Sequence, residues 1–135
     1  MEKVFIDTSG WVALFVENDK YHKKAAAIFE EIKNSKALIY TSDYVVDETV
    51  TTILARGSHK QSVLAGEALF TSKIIKIVHV CPDYLQAAWE LYQKFKDKMF
   101  SFTDVTSFVI MKDLNIRQAL AFDREFIQAG IELME

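Results

Sequence analysis

Short apolar runs alternate with longer stretches of helical periodicity along the whole chain. The runs that predict strands are 3–6, 37–42, 74–80, 119–122 and 131–134, the last at a sheet edge. Helices are predicted over 9–17, 21–34, 43–56, 59–72, 82–99 and 103–114, with a helical turn at 123–128. Strands joined through helices run parallel, and right-handed crossovers place helices on both faces of the sheet. The pattern therefore predicts an α/β fold, a three-layer α/β/α sandwich around a central, mostly parallel sheet.

Length and composition predict a single domain that covers residues 1–135. Half of the residues are hydrophobic, there is one proline, and there are only four glycines, so a core is expected and no linker stands out. The apolar runs are too short to span a membrane and no secretory signal is visible, so we expect a soluble, cytoplasmic protein. The single cysteine, Cys81, excludes an intrachain disulfide and a Cys-based zinc site, and we expect it in the core.

Acidic residues stand at or near the predicted carboxyl ends of strands, where parallel sheets bind ligands. Asp7 follows the first strand, Asp123 follows the strand at 119–122, Asp104 opens a helix, and Glu48 lies on a semi-polar stripe of the helix 43–56. Each aspartate taken alone also fits a helix cap or a first helical turn. For Asp7, however, Thr8 or Ser9 could cap the next helix, which would leave its carboxylate free.

Four carboxylates brought together would repel one another unless cations were bound between them. Oxygen-only ligands suit Mg²⁺ or Mn²⁺, and such a site can activate water for phosphodiester hydrolysis. The formal net charge of −3 argues against non-specific, charge-driven binding of nucleic acid. It does not argue against a nucleic-acid enzyme whose acids hold metal ions.

Three stretches of the sequence resemble the conserved blocks of PIN-domain nucleases. They are "VFIDTSGWVALF" with the following "NDKYHKKA", "TSDYVVDETVTTILARG" (41–57), and "FSFTDVTSFVIMKDLNIRQALAFDREF" (100–126). The resemblance covers nearly the whole chain. The length, without extra domains, is most similar to the VapC toxins of toxin–antitoxin pairs.

The resemblance implies a Mg²⁺- or Mn²⁺-dependent endoribonuclease that forms homodimers and is inhibited by a small, VapB-like antitoxin. Carried over by position, Asp7, Glu48, Asp104 and Asp123 are the catalytic, metal-binding acids. The hydroxyls of Thr8 and Ser9 would lie beside Asp7. One position departs from the family pattern: many relatives have Thr or Ser two residues before the last acid, where this chain has Ala121.

Two other interpretations compete with a metal-dependent ribonuclease. One is a PIN-like RNA-binding or interaction module without catalysis, although all four acids are present. The other is a receiver-like phosphoryl-transfer domain, which would need an adjacent acid pair early in the chain, whereas a strand separates Glu2 from Asp7.

Basic and imidazole side chains add candidates of a different kind. Lys20, Lys23, Lys24 and Arg124 fit either RNA contacts or a solvated surface. The three histidines are scattered away from the acids, which excludes a histidine general base. His79 lies in an apolar strand and is expected in the core or at a sheet edge.

Overall fold

A computed structural model describes residues 2–134 of the chain and contains one five-stranded sheet. The strands are β1 (Lys3–Ile6), β2 (Leu38–Ser42), β3 (Ile75–Val78), β4 (Gln118–Leu120) and β5 (Glu132–Leu133). Every neighbouring pair is parallel, in the order β3-β2-β1-β4-β5. The α/β class and the edge position of the last strand are therefore confirmed, and the sheet is wholly parallel where the sequence predicts a mostly parallel one.

Seven helices connect these strands, close to the predicted positions. They are α1 (Thr8–Phe15), α2 (His22–Asn34), α3 (Asp43–Arg56), α4 (His59–Thr71), α5 (Pro82–Lys94), α6 (Phe102–Asp113) and α7 (Arg124–Gln128). Applied to this strand order, the rule of right-handed crossovers assigns α1–α4 to one face of the sheet and α5–α7 to the other, which agrees with the predicted three layers. The prediction that α5 continues to Met99 is wrong, because the backbone of Phe95 leaves helical geometry with φ −86° and ψ 61°.

The order of the strands creates a switch point between β1 and β4. From β1 the chain moves outward to β2 and β3, then crosses back through α5 and α6 to β4 on the other side of β1. Crevices at such a reversal, outside the carboxyl ends of the strands, are where α/β sheets bind ligands. Asp7 directly follows β1, and Asp123 lies three residues beyond Leu120 at the end of β4. The fold therefore brings two of the predicted acids to the expected edge.

A buried hydroxyl relay fixes the end of β1. The Trp11 side chain is 1% exposed, and its Nε1–H donates to Thr41 Oγ1 at 3.1 Å. The Thr41 hydroxyl in turn donates to the carbonyl oxygen of Ile6 at 2.9 Å. Because buried polar groups are costly unless they are hydrogen-bonded, this relay holds α1, β2 and the last residue of β1 in one arrangement.

Gly10 permits the close approach of α1 to β4. A Cβ at this position would lie 2.4 Å from the carbonyl oxygen of Leu120, a contact that backbone atoms cannot relieve without moving. The same oxygen accepts the backbone N–H of Asp7 at 3.2 Å. The missing side chain thus allows β4 and the start of α1 to position Asp7 together.

Two residues are more exposed than the sequence predicts. His79 lies beyond the end of β3 with its side chain 78% exposed, and its Nδ1 is 2.7 Å from Asp43 Oδ2. Cys81 is only partly buried, because it occupies the N-cap position of α5 rather than the core. Within residues 2–134, none of the helices combines the length and the apolar character that a membrane crossing requires.

Candidate active site

Asp7 combines a capping role with an unsatisfied carboxylate oxygen. It is 1% exposed and is itself the N-cap of α1, so the expectation that Thr8 or Ser9 would cap this helix is wrong. Its Oδ2 accepts from the backbone N–H of Ser9 at 3.5 Å and from the Ser9 hydroxyl at 3.3 Å. Its Oδ1 is buried without a hydrogen-bond partner among the described residues. Such an orphaned acceptor is costly, and it is the kind of atom that a cation would satisfy.

Asp104 is held in a capping box at the start of α6. The Ser101 hydroxyl accepts the backbone N–H of Asp104 at 3.0 Å, and Asp104 Oδ2 accepts the backbone N–H of Ser101 at 3.1 Å. Asp104 thus lies in the first turn of a helix that Ser101 caps. Asp104 is 8% exposed, so its carboxylate is fixed in place and largely removed from water.

Glu48 and Asp123 are placed more loosely. Glu48 is partly exposed on α3, while its neighbour Asp47 is exposed, as expected for a solvent-facing residue. Asp123 is exposed and occupies the N-cap position of α7 without making a side-chain cap bond. Ala121, at the position where many PIN-domain nucleases have a hydroxyl, is buried and can offer Asp123 no hydrogen bond.

Three of the four predicted acids line one cleft of about 610 Å³, and the fourth, Asp7, is buried directly behind Thr8 and Ser9. Glu48, Asp104 and Asp123 line it, together with the hydroxyl residues Thr8 and Ser9 that follow the buried Asp7. The lining also includes Glu125, an acid that the sequence analysis did not consider. Its position two residues beyond Asp123 was a signal, because the first turn of a short helix keeps both residues near the end of β4.

Burial and repulsion by neighbouring carboxylates raise the pKa values of the three aspartates at the cleft. Burial, followed by the charge of Asp104, raises the pKa of Asp7 from 3.8 to about 8. Burial also raises the pKa of Asp104 to about 6, with smaller contributions from the charges of Glu48 and Asp123. The pKa of Asp123 is raised by the partial loss of water around its carboxylate in the cleft, and then by the charges of Glu125 and Glu48. The acids are therefore close enough to destabilise one another's charged forms.

The donor set suits a hard divalent cation, although no metal cage is preformed. As they stand, residues 2–134 present no group of three or more His, Cys, Asp or Glu side chains arranged to hold one ion. Repulsion keeps such carboxylates apart when no cation lies between them. The carboxylate-lined cleft and the orphaned Asp7 Oδ1 nevertheless fit Mg²⁺ or Mn²⁺, which prefer oxygen ligands.

A cationic and aromatic wall completes the cleft. Lys20, Tyr21, Arg56 and Phe122 line it, whereas the lining does not include Lys23, Lys24, Arg117 or Arg124. Arg56 Nη1 lies 3.0 Å from Asp19 Oδ2, which joins the α1–α2 turn to the end of α3. No histidine is among the described residues that line the cleft.

Comparisons with known proteins agree with this architecture. The sequence model of the PIN domain matches residues 4–132. The 23S rRNA-specific endonuclease VapC20 of Mycobacterium tuberculosis is 34% identical over 127 residues, which are 94% of each chain. The crystal structure of VapC20, described as a Sarcin-Ricin loop cleaving toxin, superposes with a TM-score of 0.86 and covers 96% of both chains.

More distant structures share the fold alone. VapBC2 from Rickettsia felis, crystallised with a DNA fragment from its promoter, has a TM-score of 0.73 at 12% identity and covers 97% of this chain and 96% of that one. FitAcB from Neisseria gonorrhoeae has a TM-score of 0.70 at 13% identity, covering 98% and 96%. With the family model matching nearly its whole length, the chain belongs to the PIN domain family.

Proposed function

We propose that this protein is a Mg²⁺- or Mn²⁺-dependent endoribonuclease, the toxin of a toxin–antitoxin pair. The observation that carries the proposal is Asp7: a buried carboxylate with a free oxygen, at the switch point of the sheet and beside a cleft lined by further acids. Membership of the PIN domain family and 34% identity to a 23S rRNA-specific endonuclease support the same activity.

Asp7, Glu48, Asp104 and Asp123 are the proposed metal-binding and catalytic residues. When bound, the metal supplies a water nucleophile at neutral pH and stabilises the charge on the leaving oxygen. Asp7 is the most firmly positioned of these ligands, since the end of a central strand and the Ser9 hydroxyl determine the orientation of its carboxylate. Asp7 must release a proton to bind a cation, because its pKa of about 8 keeps it largely protonated near neutral pH, whereas Asp104, with a pKa of about 6, is mostly ionised there.

The proposed substrate is an exposed loop of ribosomal RNA. The relative that covers 94% of this chain is a 23S rRNA-specific endonuclease, and its crystal structure is described as that of a Sarcin-Ricin loop cleaving toxin. A hairpin that reproduces the sarcin–ricin loop is therefore the first substrate to test. Lys20 and Arg56 give the cleft two cationic side chains that can contact the RNA backbone beside the acids.

A homodimer and a small, VapB-like antitoxin are the proposed protein partners. Several large apolar side chains remain exposed on the helices, which favours association. They include Leu64 and Phe70 on α4 and Leu85, Trp89 and Tyr92 on α5. Light scattering of the purified chain should give twice the monomer mass, and a monomer at micromolar concentration would contradict the dimer.

Two neighbouring acids on α3 offer a matched test of the activity. Glu48→Gln removes a proposed ligand, whereas Asp47→Asn removes the adjacent, exposed carboxylate. The hairpin should be cleaved by the wild-type protein and by Asp47→Asn in Mg²⁺ or Mn²⁺, but not in EDTA. Glu48→Gln should be at least about 100-fold slower, since it removes a charge that holds the metal.

The competing interaction module predicts a different result. If the wild-type protein binds the hairpin but leaves it intact with both metals, the ribonuclease proposal is wrong and a binding function replaces it. If the hairpin is intact but other RNAs in a total RNA pool are cut, the activity stands and the proposed substrate is wrong.

A further inference from the structure

Two aromatic rings face each other in the wall of the acidic cleft. Tyr21, at the N-cap position of α2, and Phe122, beyond the end of β4, have centroids 4.5 Å apart and planes within 3° of parallel. Both line the cleft and both are partly exposed. Among the described residues, no other aromatic side chain lines the cleft: Trp11 lies in the core, while Phe70 and Trp89 are exposed on α4 and α5. The pair therefore places an apolar surface in a cleft whose other lining is largely charged.

The pair is rigidly connected to the proposed metal-binding acids. Phe122 directly precedes Asp123, and its backbone N–H donates to Ser9 Oγ at 2.9 Å. The same Ser9 hydroxyl contacts Asp7 Oδ2. On the other side, the backbone N–H of Tyr21 donates to Asp19 Oδ1 at 2.9 Å. A group resting on these rings would therefore be held at a fixed place relative to the carboxylates.

Lys20 adds a replaceable cation to this surface. Its Nζ lies 4.9 Å from the centroid of the Tyr21 ring, and the side chain is exposed. An exposed cation–π contact is weak, on the order of 0.5–1 kcal/mol, so a backbone phosphate can draw the ammonium away from the ring. RNA binding would then expose ring surface and neutralise a phosphate in the same movement.

We propose that the Tyr21–Phe122 pair is a stacking platform for the nucleobase next to the cleaved phosphodiester. Single-stranded and loop RNA is commonly recognised by bases that stack on aromatic side chains. Tyr21 is then a specificity-determining residue, and it contacts the base without taking part in the chemistry. The proposal rests on the proposed ribonuclease function, because it places the platform beside the site where RNA is cut.

The test is a double-mutant cycle between Tyr21 and single nucleotides. Wild type, Tyr21→Phe, Tyr21→Leu and the control Phe70→Leu are compared on the sarcin–ricin hairpin and on a series with one abasic nucleotide near the cleaved bond. Phe70 is an aromatic residue of α4 with 68% exposure, and α4 contributes no residue to the cleft lining. Thermal melting of each variant checks that the fold survives the loss of the ring pair.

Stacking on one base predicts a specific pattern of kcat/KM. Tyr21→Leu should lower kcat/KM by about 5- to 150-fold, mainly through KM, while Tyr21→Phe stays within about twofold of wild type. One abasic position should lower wild-type kcat/KM by a similar factor and have little further effect on Tyr21→Leu. A merely structural role would lower the activity of Tyr21→Leu equally on every RNA.

The outcomes separate this inference from the function on which it rests. If the wild type cuts the hairpin but no abasic position is coupled to Tyr21, the platform is wrong and the ribonuclease stands. If Phe70→Leu shows the same coupling as Tyr21→Leu, the platform is also wrong. If the wild type cuts no RNA with either metal, the proposed function fails and the platform fails with it.

Discussion

Replacing Asp7 with asparagine should stabilise the metal-free protein. In the folded state this carboxyl group is 1% exposed, with one oxygen unpartnered and further acids nearby. Asparagine keeps an oxygen that can accept the Ser9 hydrogen bonds, and it removes the cost of either protonating this carboxyl group or burying its charge on folding. The same substitution should abolish cleavage, so that stability and activity change in opposite directions.

The size of the effect follows from the pKa of Asp7, which rises from 3.8 in the unfolded chain to about 8 in the fold. Between these values the folded protein holds a proton that the unfolded chain has lost, so the free energy of unfolding falls as the pH rises. At about 1.4 kcal/mol per pH unit, the interval up to pH 7 corresponds to about 4 kcal/mol. Local rearrangement and water entry reduce this cost, so Asp7→Asn should gain about 1–4 kcal/mol at pH 7–8 and almost nothing near pH 4.

The assay is thermal and urea unfolding in EDTA from pH 4 to pH 9. For a chain of this length the expected gain corresponds to an increase in Tm of about 4–15 °C at pH 8. The control Asp47→Asn, at an exposed position, should stay within about 0.5 kcal/mol of wild type at every pH. A constant difference between Asp7→Asn and wild type across the pH range would refute the reasoning, as would a less stable variant at pH 8.

Three further changes test other parts of the structure. Mg²⁺ or Mn²⁺ should raise the Tm of the wild type in differential scanning fluorimetry, and the increase should be larger at pH 8 than at pH 6 because the cation binds ionised carboxylates. The Tm of Asp7→Asn should hardly change with either metal. An equal increase in both proteins would place the cation elsewhere. Gly10→Ala should lower the free energy of unfolding, measured by urea denaturation, by about 1–3 kcal/mol, because the new Cβ would collide with the Leu120 carbonyl oxygen. An unchanged midpoint of the urea transition would contradict the close packing of α1 against β4. Ser101→Ala should cost about 1 kcal/mol in the same measurement, since it removes the cap of α6, and a neutral effect would show that the capping box does not stabilise this helix.

The alternation of strands and helices was enough to predict most of the fold. The end of α3 was predicted because Gly57 follows it, and its start, capped by Ser42 in the structure, also carries a local signal. The end of α5 was not predicted correctly, since apolar residues continue at helical spacing through Phe95 and neither glycine nor proline marks the end of the helix. Phe95 instead packs edge-on against Phe100, with centroids 4.8 Å apart, and that tertiary contact is not visible in a periodic pattern.

The candidate site was predictable as far as it depends on strand ends. Asp7 and Asp123 could be placed because a parallel sheet brings the carboxyl ends of its strands to one edge. The Tyr21–Phe122 pair could not be predicted, because the two rings lie about 100 residues apart, in two different stretches that resemble PIN-domain blocks, and nothing in either stretch indicates that they meet. Likewise, the unpartnered oxygen of Asp7 depends on which atoms surround it in the fold, and no spacing of residues encodes that.

The Ser9 hydroxyl, shared between Asp7 and the backbone of Phe122, has a consequence for how proteins of this kind diversify. This hydroxyl links Asp7, a proposed metal ligand, to the backbone of the loop that carries half of the aromatic pair. Because the bond from residue 122 is made by its backbone N–H, the ring at that position can be exchanged without losing the bond, whereas loss of the Ser9 hydroxyl would release Asp7 and the loop together. New target preferences should accordingly arise at Tyr21 and Phe122, while Ser9 stays unchanged.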